Sequence, residues 1–244
     1  MRTQPNAGRQ LVALLRKDLR LELRTREILI AMLLFATMLM LLFQFGIGER
    51  AQDLETPDGL PAQVTDITPF IGGILWATIA LTAVLGVGRA WVPEREQRVL
   101  DAILVAPVSR SLLMSAKAIS LYVHLLVLEL VIVPVAILFF VRGIGPVQVG
   151  AVVVVCLLAS LCIAVLGSLM ACLSLYARAR EALLPVLFLP PLVPVVIAAS
   201  GATHAATQGT IDMQEYRGYC LFLAIYALVF CLVAYATYDH VFDD

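Results

Sequence analysis

Lysine is almost missing from this chain of 244 residues. Lys17 and Lys117 are the only two among 17 basic residues, and neither follows a glycine. Without a G-x-x-x-x-G-K-[ST] run the chain has no phosphate loop, so it cannot itself be an ATPase of that kind. H-E-x-x-H and G-x-S-x-G are missing as well, which leaves an enzymatic reading little to stand on. The five cysteines form no C-x-x-C, so neither a zinc site, a disulfide framework nor covalent cofactor attachment follows from them. Charge is scarce at 14% of residues, and the net charge of -1 argues against a nucleic-acid surface.

What is present is hydrocarbon. Hydrophobic residues make up 61% of the chain, its mean hydropathy is +0.94, and six apolar stretches recur at Ile28 to Ile47, Ile67 to Gly88, Ala118 to Val141, Val147 to Leu175, Leu183 to Ser200 and Tyr219 to Tyr238. Each is near the ~20 residues that a helix needs to cross a bilayer. The segments between them are too short for a soluble domain, so residues 1–244 read as one all-α transmembrane domain. All five cysteines lie in these stretches and read as packing residues. The first stretch is span-length and lacks a small-residue cleavage pattern after it, which makes it a retained helix and not a signal peptide.

The basic residues fall almost entirely on one side. Arg2, Arg9, Arg16, Lys17, Arg20, Arg24 and Arg26 precede the first span, Arg89, Arg95, Arg98, Arg110 and Lys117 separate the second from the third, and Arg178 and Arg180 separate the fourth from the fifth. Only Arg50, Arg142 and Arg217 fall on the other side. Cytoplasmic loops carry the Lys and Arg excess, so both termini are expected in the cytoplasm.

Ahead of the first span, Leu11 to Glu27 has helical periodicity. Leu11, Leu15, Leu19 and Leu23 run along one side, Val12 borders it, and Arg16, Arg20 and Arg24 run along another. This predicts an amphipathic helix in the interface with its basic groups toward lipid phosphates. Gly48 to Asp66, with Glu49, Asp53, Glu55, Asp58 and Asp66, reads as a solvated outer loop whose acid spacing fits no calcium site.

Pro93 and Pro107 bracket a short cytoplasmic helix. Val92, Val99, Leu100, Ile103 and Leu104 form its apolar arc, and Glu94, Arg98 and Asp101 stand opposite, with Glu96 as an acid inside the arc. Such a helix either lies on the membrane or docks a cytoplasmic partner. The fifth stretch carries Pro185, Pro190, Pro191 and Pro194, which predicts a broken helix that packs inside the bundle or lines a path.

Glu129 is the one acid deep inside a span, where an ionised carboxylate costs about 2.5 to 3.5 kcal/mol on insertion scales. It should face the bundle interior, either protonated against a neighbouring helix or lining a substrate path. Tyr122 shares its face, whereas His124 is about 140° away around the helix, so a Glu-His relay is not expected. His204 is placed in the outer loop after the fifth span, and His240 in the tail.

The run Pro93-Glu94-Arg95-Glu96-Gln97-Arg98-Val99-Leu100-Asp101-Ala102-Ile103-Leu104-Val105-Ala106-Pro107-Val108-Ser109-Arg110, followed by Lys117, resembles the connection between spans two and three in the haem exporter protein B family (the CcmB family), a permease of the cytochrome c maturation system. Lys17 to Arg24 is similar to that family's N-terminal segment, Gly73-Ile74-Leu75-Trp76 to the start of its second span, and Leu187 to Pro194 to its proline-rich fifth span. In the family a glycine and then a serine or threonine commonly precede the Leu-acid pair, where this chain has Arg98 and Val99. The resemblance implies an ABC-2-type permease with six spans in a bacterial inner membrane. It also implies a separate cytoplasmic ABC ATPase that binds the ATP, haem-handling membrane proteins, a periplasmic haem chaperone and a second copy of the permease. Haem would be cargo, or ATP hydrolysis would release haem-loaded chaperone. The residues expected to matter are Glu94, Glu96, Leu100, Asp101, Ile103 and Leu104 for ATPase docking, Glu129, Pro190, Pro191 and Pro194 for the path or assembly, and His204, whose imidazole is a usual haem ligand. The competing readings are an ABC-2 permease for a drug, lipid or glycan, and a non-transporting scaffold.

The charge asymmetry fixes a topology that labelling can check. Single cysteines introduced within residues 48–66 should react with an impermeant maleimide applied from outside, and a cysteine at Arg95 should not. Reversal of these two results would invert the topology.

Overall fold

A computed structural model of the chain describes residues 7–53, 70–89, 110–140, 144–174, 180–207 and 211–238. These residues form seven helices: α1 (Ala7–Thr25), α2 (Glu27–Asp53), α3 (Ile71–Arg89), α4 (Arg110–Phe140), α5 (Pro146–Leu173), α6 (Arg180–Thr207) and α7 (Met213–Tyr238). Six of them, α2 to α7, are long and apolar enough to cross a membrane. The proposed docking segment at residues 93–106 lies outside the described residues.

Packing sorts the helices into an inner and an outer set. α3 touches α2, α4, α5 and α6, and α5 touches α3, α4, α6 and α7. The outer faces of α2 and α7 stay apolar and exposed, through Leu34, Met38, Leu42 and Phe45 on one and Leu221, Ile225, Leu228 and Leu232 on the other. In water such stripes would be an aggregation hazard, whereas against lipid tails they cost nothing.

Lipid supplies no hydrophobic drive between helices, so close backbone approach and interhelical hydrogen bonds take its place. A Cβ on Gly72 of α3 would stand 2.5 Å from the backbone oxygen of Ser200 on α6. One turn further along, the indole N–H of the fully buried Trp76 donates to Thr203 Oγ1 at 2.9 Å. Gly167 of α5 receives Val87 and Leu121, whose methyls would lie 2.5 and 2.9 Å from an added Cβ. Between α6 and α7, a Cβ on Gly201 would stand 2.5 Å from the Tyr219 ring. The Tyr216 hydroxyl donates to the Ala151 carbonyl at 2.9 Å.

Helix boundaries follow local chemistry. Pro146 opens α5 at a position where its missing N–H is no loss, and Gln148 Oε1 reaches back to the Gly145 N–H at 2.7 Å. Asp212 caps α7 by accepting the N–H groups of Gln214 and Glu215 at 3.1 and 3.2 Å.

Three expectations change. α6 is one continuous helix from Arg180 to Thr207 with Pro185, Pro190, Pro191 and Pro194 inside it, not a broken span. Opening the chain in hydrocarbon would strand further backbone groups at several kcal/mol each, so the remaining helical bonds are kept. Tyr226 on α7 ties the proline-bearing stretch to its neighbour, its hydroxyl donating to the Pro191 carbonyl at 2.6 Å. The same continuity puts His204 in the last turn of α6, half-buried, and not in an outer loop. α2 likewise runs on to Asp53, so the outer loop begins later than Gly48.

The Gly72 crossing yields a matched pair of tests. Gly72→Ala should force the α3 and α6 backbones apart and destabilise the protein by about 1–3 kcal/mol, the usual cost of overpacking. Gly73→Ala, whose Cβ would meet only Ser200 Oγ at 3.9 Å, should be neutral. Thermal unfolding of the two purified variants checks the contrast.

Candidate functional site

α4 carries two polar faces, and they point at different helices. Lys117, Ser120 and His124, spaced i, i+3 and i+7, share one side of the helix and are buried; Tyr122 and Glu129, also seven apart, share another. α4 is therefore the element on which the polar chemistry of the bundle converges.

The first face is tied to α1. Lys117 Nζ lies 3.1 Å from Asp18 Oδ2, with the two side chains only 6% and 10% exposed. One turn along α1, Glu22 Oε2 stands 3.9 Å from His124 Nε2, an electrostatic contact beyond hydrogen-bond range. His124 Nδ1 meets the Ser120 carbonyl, which can only accept, so Nδ1 carries the proton there. The other oxygen of Glu22 accepts the Leu29 N–H at 2.9 Å, supplying a cap for the first turn of α2 from the preceding helix. Between the two helices Arg26 adopts φ 56, a left-handed conformation that costs a non-glycine residue roughly 1–2 kcal/mol. Its N–H bonds the Glu22 carbonyl at 2.6 Å and its carbonyl accepts from Ile30 at 3.0 Å, which holds the corner.

The amphipathic reading of α1 is therefore sound, with a change in what its inner side does. Leu11, Leu15 and Leu19 are half-buried and Arg9, Arg16, Arg20 and Arg24 are exposed, while Val12 faces outward at 62% exposure. Asp18 and Glu22 also lie on the inner side, and sequence reasoning missed them. A signal was available: two acids one turn apart, on the leucine side of a basic helix, have no reason to be there unless a cation meets them.

The second face of α4 meets α5. Glu129, near the middle of its span, is 4% exposed and bonded to the Ser160 hydroxyl, itself near the middle of α5. Its other carboxylate oxygen, Oε2, is buried with no hydrogen-bond partner. Tyr122, on the same face, reaches the Leu157 carbonyl at 3.3 Å. Glu129 thus faces inward, as its mid-span position requires, and His124 is turned away toward Glu22. Ser160 was not anticipated, since an isolated serine in an apolar run gives no indication of its partner.

The remaining predicted residues are scattered. Pro190 is exposed on the outside of the bundle, whereas Pro191 and Pro194 are half-buried. His204 follows Thr203, the acceptor of the Trp76 bond. Nothing brings His204 to Glu129 among the described contacts. Cys156, Cys162 and Cys172 are buried packing residues, and Cys162 Sγ approaches the Leu223 carbonyl at 3.2 Å.

The family model described as CcmB protein matches residues 9–241 of the chain. A curated relative, heme exporter protein B of Pseudomonas aeruginosa, is 27% identical over 225 residues, which cover 91% of this chain and 92% of the relative.

The tie between α1 and α4 can be measured by a double-mutant cycle. Lys117→Met alone leaves Asp18 only the half-exposed Lys17, 3.4 Å from its other oxygen, and should cost less than the ~3–5 kcal/mol of a fully stranded buried charge, about 1–3 kcal/mol. Lys117→Met combined with Asp18→Asn should recover much of that loss, giving a clear coupling energy in thermal unfolding. Additive losses would mean that the pair contributes nothing as a pair.

Proposed function

The chain belongs to the CcmB protein family, and from that premise we propose that it is the permease subunit of an ABC transporter serving haem export. The observation that carries this reading is the family match over nearly the whole length of a chain whose six apolar helices are each long enough to cross a membrane. The name of the Pseudomonas aeruginosa relative supports haem as the cargo, in preference to a drug, lipid or glycan, and weighs against a scaffold without transport.

ATP is hydrolysed elsewhere. The chain lacks a phosphate loop, so a separate cytoplasmic ATPase subunit provides the energy and docks on residues 93–106, with Leu100, Ile103 and Leu104 as apolar contacts and Glu94, Glu96 and Asp101 as charged ones. That segment joins the end of α3 at Arg89 to the start of α4 at Arg110. A push on it would reach α4 directly, and through Lys117 and Asp18 it would reach α1 and then α2. The buried ion pair is thus the means by which a cytoplasmic event is shared between two parts of the bundle.

The complex sits in a bacterial inner membrane with both termini in the cytoplasm, as the lopsided distribution of arginine supports. Its further partners are a second permease copy, haem-handling membrane proteins and a periplasmic haem chaperone. His204, in the last turn of α6 on the outer side, has the ring chemistry of a haem ligand, and cargo or chaperone would meet it there. Pro191 and Pro194 belong to assembly, since the Pro191 carbonyl joins α6 to α7 through Tyr226.

Charged substitutions at Leu100 and Leu104 test the docking assignment. They should abolish copurification of the ATPase and its stimulated hydrolysis, and leave the permease inserted at normal levels. Persistence of both signals would place the docking element elsewhere.

A further inference from the structure

We propose that Glu129 is a proton-binding site, occupied while α4 and α5 are closed against each other, and that its proton is lost only when water enters between the two helices. The argument is one of hydrogen-bond supply. An ionised carboxylate has about four lone-pair sites to satisfy, and a buried one without partners neutralises instead of staying charged. Glu129 is offered one hydroxyl, from Ser160. Its second oxygen is buried and unpartnered, and no basic side chain pairs with it among the described residues. The titratable side chains that face it are Tyr122 on α4 itself and Cys156 on α5, and neither offers it a positive charge. The charged groups of α1, Asp18 and Glu22, are engaged on the other face of α4 with Lys117 and His124. Among the described residues no side chain of α2, α3, α6 or α7 bonds either carboxylate oxygen of Glu129.

A neutral carboxylic acid fits this supply. It shares one hydrogen bond with Ser160 and leaves only a weak acceptor or a single O–H unmet. Release of the proton to water leaves a carboxylate that needs two or three more donors, and water is the one source of them. Water can arrive only if α4 and α5 part. Protonation and helix closure are therefore two descriptions of one equilibrium, whatever cargo the complex handles. Cys156, buried one helical turn before Ser160 on the same face of α5, would be uncovered by the same opening.

Infrared spectroscopy of the full chain purified in native-lipid particles, with its bound subunits, reads the proton directly. Near neutral pH the wild-type minus Glu129→Gln difference spectrum should contain the C=O stretch of a protonated carboxylic acid. As pH rises the band should give way to carboxylate bands, and Cys156 should become several-fold more reactive to maleimide over the same range, by peptide mapping. Cys162, buried elsewhere in α5, should stay unlabelled, which distinguishes local opening from unfolding. In Glu129→Gln, which keeps the shape but cannot ionise, Cys156 should remain protected throughout. Carboxylate bands already present at neutral pH would overturn the proposal. So would proton loss without exposure of Cys156, equal Cys156 labelling in Glu129→Gln, or an acid band that persists until the fold itself is lost.

Discussion

Hydrocarbon offers no hydrogen bonds, and most of what is specific about this bundle answers that deficit. Each backbone group must be paired within its own helix or by a neighbour. The four prolines of α6 would end a helix in water, where the freed carbonyls could be solvated. Here the helix persists through them, and a tyrosine from α7 binds at the proline-bearing turns. The same scarcity governs side chains: Trp76 finds Thr203, and Tyr216 finds the Ala151 carbonyl. Glycine and alanine then let the helices approach closely enough for such bonds to form.

Charge is handled by position along the membrane normal. Exposed arginines line one side of α1, while on its inner side Asp18 pairs with Lys117 of α4 and with Lys17, and Glu22 faces His124. A buried ion pair such as Asp18 with Lys117 adds little net stability compared with apolar packing, but breaking one is expensive. The value of these contacts lies in register: Asp18 and Glu22 admit one rotation of α1 about its axis and one height against α4. Since Glu22 also caps α2, that register passes across the Arg26 corner into the first span.

Much of this was legible in the sequence because the bilayer imposes simple periodicities. Span length, the amphipathic α1 and the inward direction of Glu129 all follow from the pattern within a single helix. What could not be read depends on contacts between helices. Asp18 and Lys117 are nearly a hundred residues apart, and each has an ordinary reading alone: one more acid on a mixed helix, one more cation on the cytoplasmic side. Ser160 is a small polar residue that any span tolerates. His204 was misplaced because four prolines argue for an early helix end on propensity alone, and propensity yields where opening the backbone would cost more.

The crossing of α3 and α6 has a kinematic consequence. Gly72 brings its backbone into contact with that of Ser200, and the Trp76 bond pins the helices again one turn away. Two rods fixed at two nearby points cannot slide or roll independently, so this pair behaves as a single strut. Any widening of the bundle must then be carried by helices with looser seams. α2 fits that description, because most of its surface is exposed, whereas α7 is tied to α6 at Gly201 and Pro191 and to α5 at Ala151. The bundle thus divides into a tied group, α3 with α5, α6 and α7, and a more loosely held first span that is joined to α4 chiefly by way of α1.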